Sequence, residues 1–162
     1  MDPSTRRDRM TAWGLVAVQA VLIVAIVIIP RRHAWGDITL VNIGALTAIG
    51  LAAILGLWSA WHLGRGLTPL PLPNGAVDLV VHGPYRWVRH PIYTAVITGM
   101  AGIALRSRTP IVIGLAGALA VFLALKARWE EIHLQAAFPG YLEYQSRTGR
   151  LLPGLGKLKT QD

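Results

Sequence analysis

The chain has no cysteine, which excludes disulfides, thiolate metal sites and cysteine nucleophiles and leaves its redox compartment open. Charge is also scarce. Only 15% of its 162 residues are Asp, Glu, Lys or Arg, against about 25% in an ordinary globular domain. Acidic residues are scarcest, eight against 16 basic ones, for a net charge of +8. That excess could serve nucleic acid, but the basic residues flank apolar blocks and form no stripe or basic helix. We therefore expect no nucleic-acid partner, and membrane lipids with anionic headgroups instead. No Gly-rich phosphate loop is present, and no serine or histidine sits in a nucleophile-elbow context. His62, His82 and His133 are spread out without metal-ligand spacing, so no metal is expected.

What the chain has in quantity is apolar sequence, 53% of the total, gathered into blocks. A membrane-crossing helix needs about 20 mainly apolar residues. Residues 12–29 qualify, with Gln19 their one strongly polar interior residue, and 38–61 qualify with Trp58 and Trp61 placed as an interfacial belt. The stretch before the first block is basic, as in a signal peptide. The block is long, however, and Pro30-Arg31-Arg32-His33 is no small-residue cleavage site, so a retained span is expected. Within the second block Gly44, Ala48, Ala52, Gly56 and Ala60 recur every four residues, a smooth ridge for close helix packing. Residues 92–105 form a shorter third span after Pro91, and 111–125 a fourth, with helix running on to about Ala137 before Pro139-Gly140 breaks it. The expected fold is an all-α integral membrane protein of about four spans, with a cytoplasmic loop and a C-terminal amphipathic helix. Its parts are an N-terminal hairpin over 1–66, a core over 67–153 and a basic tail over 154–162.

The Pro- and Gly-rich connection from His62 to His90 is long enough to be functional, and Leu79-Val80-Val81 would bring it back to the membrane surface. With the N-terminus inside, twelve Lys and Arg residues fall on the cytoplasmic face and four outside, which sets both termini in the cytoplasm. The chemistry-bearing residues then share that face. Arg89 and His90 sit at a helix N-terminus, where the dipole favours anions rather than cations, so they suit a carboxylate or phosphate ligand. Glu130-Glu131 follow Lys126 and Arg128 at helical spacing, which a structural ion-pair network explains almost as well as a site does. Together, basic and acidic seats on one face suit a zwitterion; the amino-acid end of S-adenosylmethionine is one example among several. Tyr85, Trp87, Tyr93 and Trp129 are ordinary interfacial aromatics singly, and Tyr85 and Tyr93 could also wall an adenine or a sulfonium.

These residues resemble the isoprenylcysteine carboxyl methyltransferase family, in its bacterial branch, which is related to the membrane phospholipid methyltransferases. That family carries Arg-His-Pro-x-Tyr-x-Gly followed one span later by Glu-Glu. Here the motif is Arg89-His90-Pro91-Ile92-Tyr93-Thr94-Ala95, then Glu130-Glu131. The Thr68-Pro69 loop, Gly83-Pro84-Tyr85, Phe138, Tyr141, Tyr144 and Leu152-Pro153 also fit, so the match covers about Leu67 to Pro153. The resemblance implies S-adenosylmethionine as cofactor and a lipophilic or prenylated acceptor. It places Tyr85, Arg89, His90, Pro91, Ile92, Tyr93 and Glu130 at the cofactor, with Val77, Asp78, Leu79 and Val80 contributing through backbone. Arg89, His90, Glu130 and Glu131 become the catalytic set, and Lys126 or Arg128 the substrate-binding cation. Ala95 departs from the family's glycine.

A bacterial inner-membrane methyltransferase follows, with isoprenylcysteine-type carboxyl O-methylation as its first chemistry. N-methylation of an aminophospholipid, with Glu131 as base, or S-methylation of a small thiol are alternatives within the same architecture. A nicotinamide-dependent membrane reductase and a non-catalytic bundle are the competing classes. Neither the acceptor nor the oligomeric state is legible at this level.

Overall fold

The computed structural model describes residues 3–30, 34, 36, 38–67 and 78–158. They form five α-helices: α1 (Pro3–Ile28), α2 (Thr39–Leu63), α3 (Pro91–Ser107), α4 (Pro110–Ala137) and α5 (Tyr141–Arg147). Short 3-10 turns at Gly64–Gly66 and Gly83–Arg86 punctuate the long connection. Among the described residues the extended backbone pairs only once, in a parallel bridge between Val88 and Gly149.

Helices α1, α2 and α4 are long and apolar enough to cross a membrane. Helix α3 has 17 residues, roughly 25 Å of helix, and is the shortest of the four. The first span begins earlier than its apolar block: α1 starts at Pro3 and carries Arg6, Arg7 and Arg9 on its exposed first turns, because arginine is a good helix former. Helix α4 continues to Ala137, as its pattern suggests, and ends before Pro139-Gly140. Val21, Leu40, Leu57, Val121 and Leu125 are all more than half exposed, an apolar outer surface suited to lipid rather than water.

Close approach of α2 to α3 holds the middle of the bundle together. A Cβ built on Gly102 would meet the Ala45 carbonyl and Ile49 at 2.8 Å, and one on Gly99 would meet Ala52 at 3.3 Å. Gly56 faces Ala95 in the same way, at 3.5 Å. Ala52 and Gly56 of the small-residue ridge therefore pack within the chain, while Gly44 faces open space. Helix α1 packs on α4 and α3, and Ile26, Ala104, Val112, Leu119 and Leu123 form the core between them.

The bundle has two distinct ends. At one, the Ala34 N–H donates to the Arg108 carbonyl at 2.9 Å, joining the α1–α2 connection to the α3–α4 turn. Arg108 makes that turn in the left-handed region, φ 50°. At the other end Asp8 of α1 lies 3.8 Å from His133 of α4, and the start of α3 meets the end of α4. The site lies at this second end.

Candidate active site

Three segments far apart in sequence converge here: the approach to α3, the last turns of α4, and the chain after α5. Gly83 opens the first segment with φ 60°, and a Cβ there would fall 2.4 Å from the His62 ring, so only glycine fits. The chain then turns through Tyr85 and runs extended to His90, with Pro91 starting α3. The third segment, residues 148–158, is an irregular strap lying against the first. Arg89 N–H donates to the Gly149 carbonyl at 2.8 Å and His90 N–H to the Arg150 carbonyl at 3.1 Å. Thr94 adds a bond from its hydroxyl to the Leu151 carbonyl at 2.7 Å. Gly149 is tightly enclosed, since a Cβ there would meet the Leu152 carbonyl at 2.0 Å.

Arg89 is buried at 4% exposure and holds the strap. Its Nε donates to Glu131 at 2.8 Å, Nη1 to the carbonyls of Thr148 and Gln145, and Nη2 to the Gly156 carbonyl at 2.9 Å. All three nitrogens are engaged by protein. Arg89, expected to seat a ligand anion, commits four of its N–H groups to these carbonyls and Glu131. Glu131 is equally committed. It receives Arg89 at Oε1, and Arg150 Nε and Nη2 at Oε2, at 2.9 and 2.8 Å. Such a buried carboxylate between two guanidiniums is a structural centre, costly to break from either side. Among the described residues its expected pairing with Arg128 is not formed: Arg128 is exposed while Glu131 is buried.

Glu130 is placed differently. Its Oε2 accepts the Tyr93 hydroxyl at 2.8 Å and lies 3.6 Å from His90 Nδ1, and the carboxylate keeps 21% of its surface open. His90 stands between the two acids, with Nε2 3.4 Å from Glu131 and outside hydrogen-bond geometry. The His90 and Tyr93 rings are parallel, 5.3 Å apart at 3°. One turn before Glu130, buried Lys126 lies 5.3 Å from the Tyr93 ring centroid and donates to Gln19 of α1 at 2.6 Å. Of the two expected cations, Lys126 is buried against these groups and Arg128 is exposed.

A second layer orients these groups. Tyr144 donates to the Tyr85 carbonyl at 2.5 Å, and Gln135 donates to Gln145 at 2.8 Å. Burial, followed by the charge of Glu130, pushes the Tyr85 hydroxyl well above its usual pKa. Burial likewise raises that of Tyr144, whose hydroxyl is the donor to the Tyr85 carbonyl. Tyr141 is 1% exposed and its hydroxyl has no hydrogen-bond partner among the described residues.

The structure therefore gathers Tyr85, Arg89, His90, Pro91, Ile92, Tyr93, Lys126, Glu130 and Glu131 at one end. Asp78, Leu79 and Val80 lead into this region, and Val77 lies outside the described residues. Arg150, Gln145 and Thr148 were missed by motif reasoning, whereas Tyr141 was among the residues that fit the family pattern. His62 and His82, far apart in sequence, have rings 5.4 Å apart. The described residues hold no group of three side chains suited to a metal ion.

The model of the phospholipid methyltransferase family matches residues 40–140. The nickel-cobalt-cadmium resistance protein NccN of Alcaligenes xylosoxydans xylosoxydans is 29% identical over 170 residues, covering 99% of this chain and 72% of that protein. The cobalt-zinc-cadmium resistance protein CzcN of Cupriavidus metallidurans is 29% identical over 160 residues, covering 96% and 68%. The solved eukaryotic intramembrane Ras methyltransferase, isoprenylcysteine carboxyl methyltransferase, superposes with a TM-score of 0.66 at 21% identity. The alignment covers 98% of this chain but 55% of that structure, so the chain corresponds to about half of it. The chain belongs to the phospholipid methyltransferase family, and its fold is that of the intramembrane carboxyl methyltransferase.

Proposed function

We propose that the protein transfers a methyl group from S-adenosylmethionine to a lipophilic acceptor, with isoprenylcysteine-type carboxyl O-methylation as the first chemistry to test. In this reading α3 also crosses the membrane, as the third of four spans, the site faces the cytoplasm of a bacterial inner membrane, and both termini lie on that side. The observation that carries the proposal is the placement of a partly open carboxylate, Glu130, one helical turn from a buried ammonium, Lys126. One end of the bundle thus offers an acidic and a basic contact to two different ligand groups.

The residues present suit the cofactor. Glu130 would take its ammonium group. The backbone N–H groups of Ile92 and Tyr93, in the first turn of α3, have no acceptor inside the helix and would take its carboxylate. The His90–Tyr93 stack and Tyr85 supply flat aromatic surface, with Asp78, Leu79 and Val80 contributing backbone. The unpartnered hydroxyl of Tyr141 and Nε2 of His90 are buried polar atoms of the kind a ligand satisfies.

Bound there, S-adenosylmethionine would supply an electrophilic methyl already activated by its sulfonium. The protein's task is then alignment and exclusion of water. Tyr93 fixes the Glu130 carboxylate by its hydrogen bond, and Lys126 holds an acceptor anion one turn below. A carboxylate acceptor is already ionised at neutral pH and needs no base. An amine acceptor needs one, and Glu131 is held by Arg89 and Arg150. That engagement favours an anionic acceptor over an amine.

Binding of labelled S-adenosylmethionine to the purified protein, alongside NADPH, tests the cofactor. Saturable binding of the first and not of the second is expected, and the converse result overturns the reading. Methyl transfer compared across S-farnesylcysteine, aminophospholipids and small thiols then ranks the acceptors.

A further inference from the structure

His62 lies in the last turn of α2 and His82 just before the Gly83–Arg86 turn. Spacing along the chain argues against a shared metal, because the two belong to different segments. The fold nonetheless brings their ring centroids to 5.4 Å, at a tilt of 57°. His62 is held in one orientation. Its Nδ1 lies 2.9 Å from the Trp58 carbonyl, one turn back along α2. A carbonyl only accepts, so Nδ1 carries the proton and Nε2 of the neutral ring keeps its lone pair. Gly83 packs on the same ring. A Cβ at Gly83 would meet Cδ2, Nε2 and Cγ at 2.4, 2.5 and 2.8 Å, so the backbone lies over the ring face. The lone pair, in the ring plane, stays clear of it.

An imidazole that donates one nitrogen to a backbone carbonyl and offers the other is the arrangement metal-binding histidines adopt. The distance between the rings fits as well. An ion about 2.0–2.1 Å from a nitrogen of each ring lies roughly 3.2 Å from each ring centre, and a tetrahedral angle then sets the centres about 5.2 Å apart. The 5.4 Å between His62 and His82 is close to that separation. The described residues provide no third such ligand, and His82 is exposed, so water can reach the remaining positions. His133 gives a contrast. Its Nδ1 meets the Trp129 carbonyl in the same way, at 3.0 Å, but its Nε2 lies 3.8 Å from the Asp8 carboxylate with no second imidazole beside it.

We propose that His62 and His82 form a two-histidine site for a first-row transition-metal ion, zinc first, which clamps the end of α2 to the approach to α3. Imidazole suits zinc, nickel and copper, whereas magnesium and calcium prefer oxygen ligands. Two protein ligands leave half of a tetrahedral shell to water, so the ion exchanges. Its effect is mechanical. The ion closes the connection between the two histidines into a loop, which restricts the unfolded chain. It also fixes the start of the Gly83–Arg86 turn, which carries Tyr85 into the site. The clamp is independent of methyl transfer, because neither histidine belongs to the cofactor site described above.

The test is calorimetric zinc binding to the full, tag-free chain in lipid nanodiscs, with magnesium as the hard-ion control. One zinc per chain is expected, and no saturable magnesium. His82→Ala removes an exposed ligand and should weaken zinc at least about tenfold, since losing even an outer-shell partner costs about 10–100-fold. His133→Ala should leave zinc affinity unchanged. Zinc should also raise the unfolding midpoint of the wild type and of His133→Ala but not of His82→Ala, because an ion that binds the folded chain stabilises it. Absence of saturable zinc, equal affinity in His82→Ala, or loss of binding in His133→Ala overturns the site. Binding that leaves the wild-type midpoint unmoved overturns the clamp.

Discussion

Glu130 and Glu131 are adjacent in sequence, yet one presents its carboxylate to a partly open space and the other is enclosed by guanidiniums. They should therefore fail in different ways. Glu131→Gln leaves Arg89 and Arg150 without their shared anion and should cost about 3–5 kcal/mol of stability, read as a lower unfolding midpoint in detergent. Glu130→Gln should leave that midpoint near wild type and weaken S-adenosylmethionine binding about tenfold or more, from the loss of one charged hydrogen bond. If both substitutions lower the midpoint equally, the division of labour is wrong. Gly83 gives a second residue-level test. Gly83→Ala puts a Cβ at φ 60° and against the His62 ring, at a cost of about 1–3 kcal/mol in strain.

Motif reading reached some residues and not others for a physical reason. Arg89, His90 and Glu130 are polar residues beside apolar runs, which is visible in a string of letters. Arg150, Gln145 and Thr148 lie in a short polar stretch like any surface tail. Their importance comes from backbone carbonyls and one carboxylate that only the folded chain supplies. The inward turn of Arg89 was illegible for the same reason, since its partners lie 42 to 67 residues further on.

Among the helices, periodicity and length were informative. The small-residue ridge on α2 correctly marked a packing face, and its partner proved to be α3 in the same chain. The pairing explains how Ala95 is tolerated where the related family has glycine: Gly56 stands opposite and leaves room for the extra methyl. Reversing that economy elsewhere on the seam should be harmful. Gly102→Leu must push against the Ala45 carbonyl and Ile49, both 2.8 Å from its Cβ, and should destabilise the helix pair by about 1–3 kcal/mol. Protease resistance of the membrane-inserted protein would report it. Helix α1 started earlier than its apolar block because charged residues with good helix propensity extend a helix into the interface.

At the scale of the whole molecule, the absence of cysteine becomes a tool, because single introduced cysteines report topology without background. Arg106 and Glu143 are exposed and belong to opposite ends of the bundle. In intact bacterial cells a membrane-impermeant maleimide should label Arg106→Cys, while Glu143→Cys should react only after lysis. Labelling of both in intact cells would refute the proposed orientation. The positive-inside count reached this orientation without any coordinate, because it depends only on which connections carry lysine and arginine.

The strap held by Arg89 also imposes an order in time. A ribosome delivers the start of α3 well before residues 145–156, whose carbonyls Arg89 needs, and before Glu131. During that interval a guanidinium waits at the membrane boundary with its intended partners still unmade. The site is complete only once the chain has emerged through residue 156, so a product stalled before that point has the helices without their centre. Assembly of the site therefore doubles as a check that synthesis has run to the end of the strap.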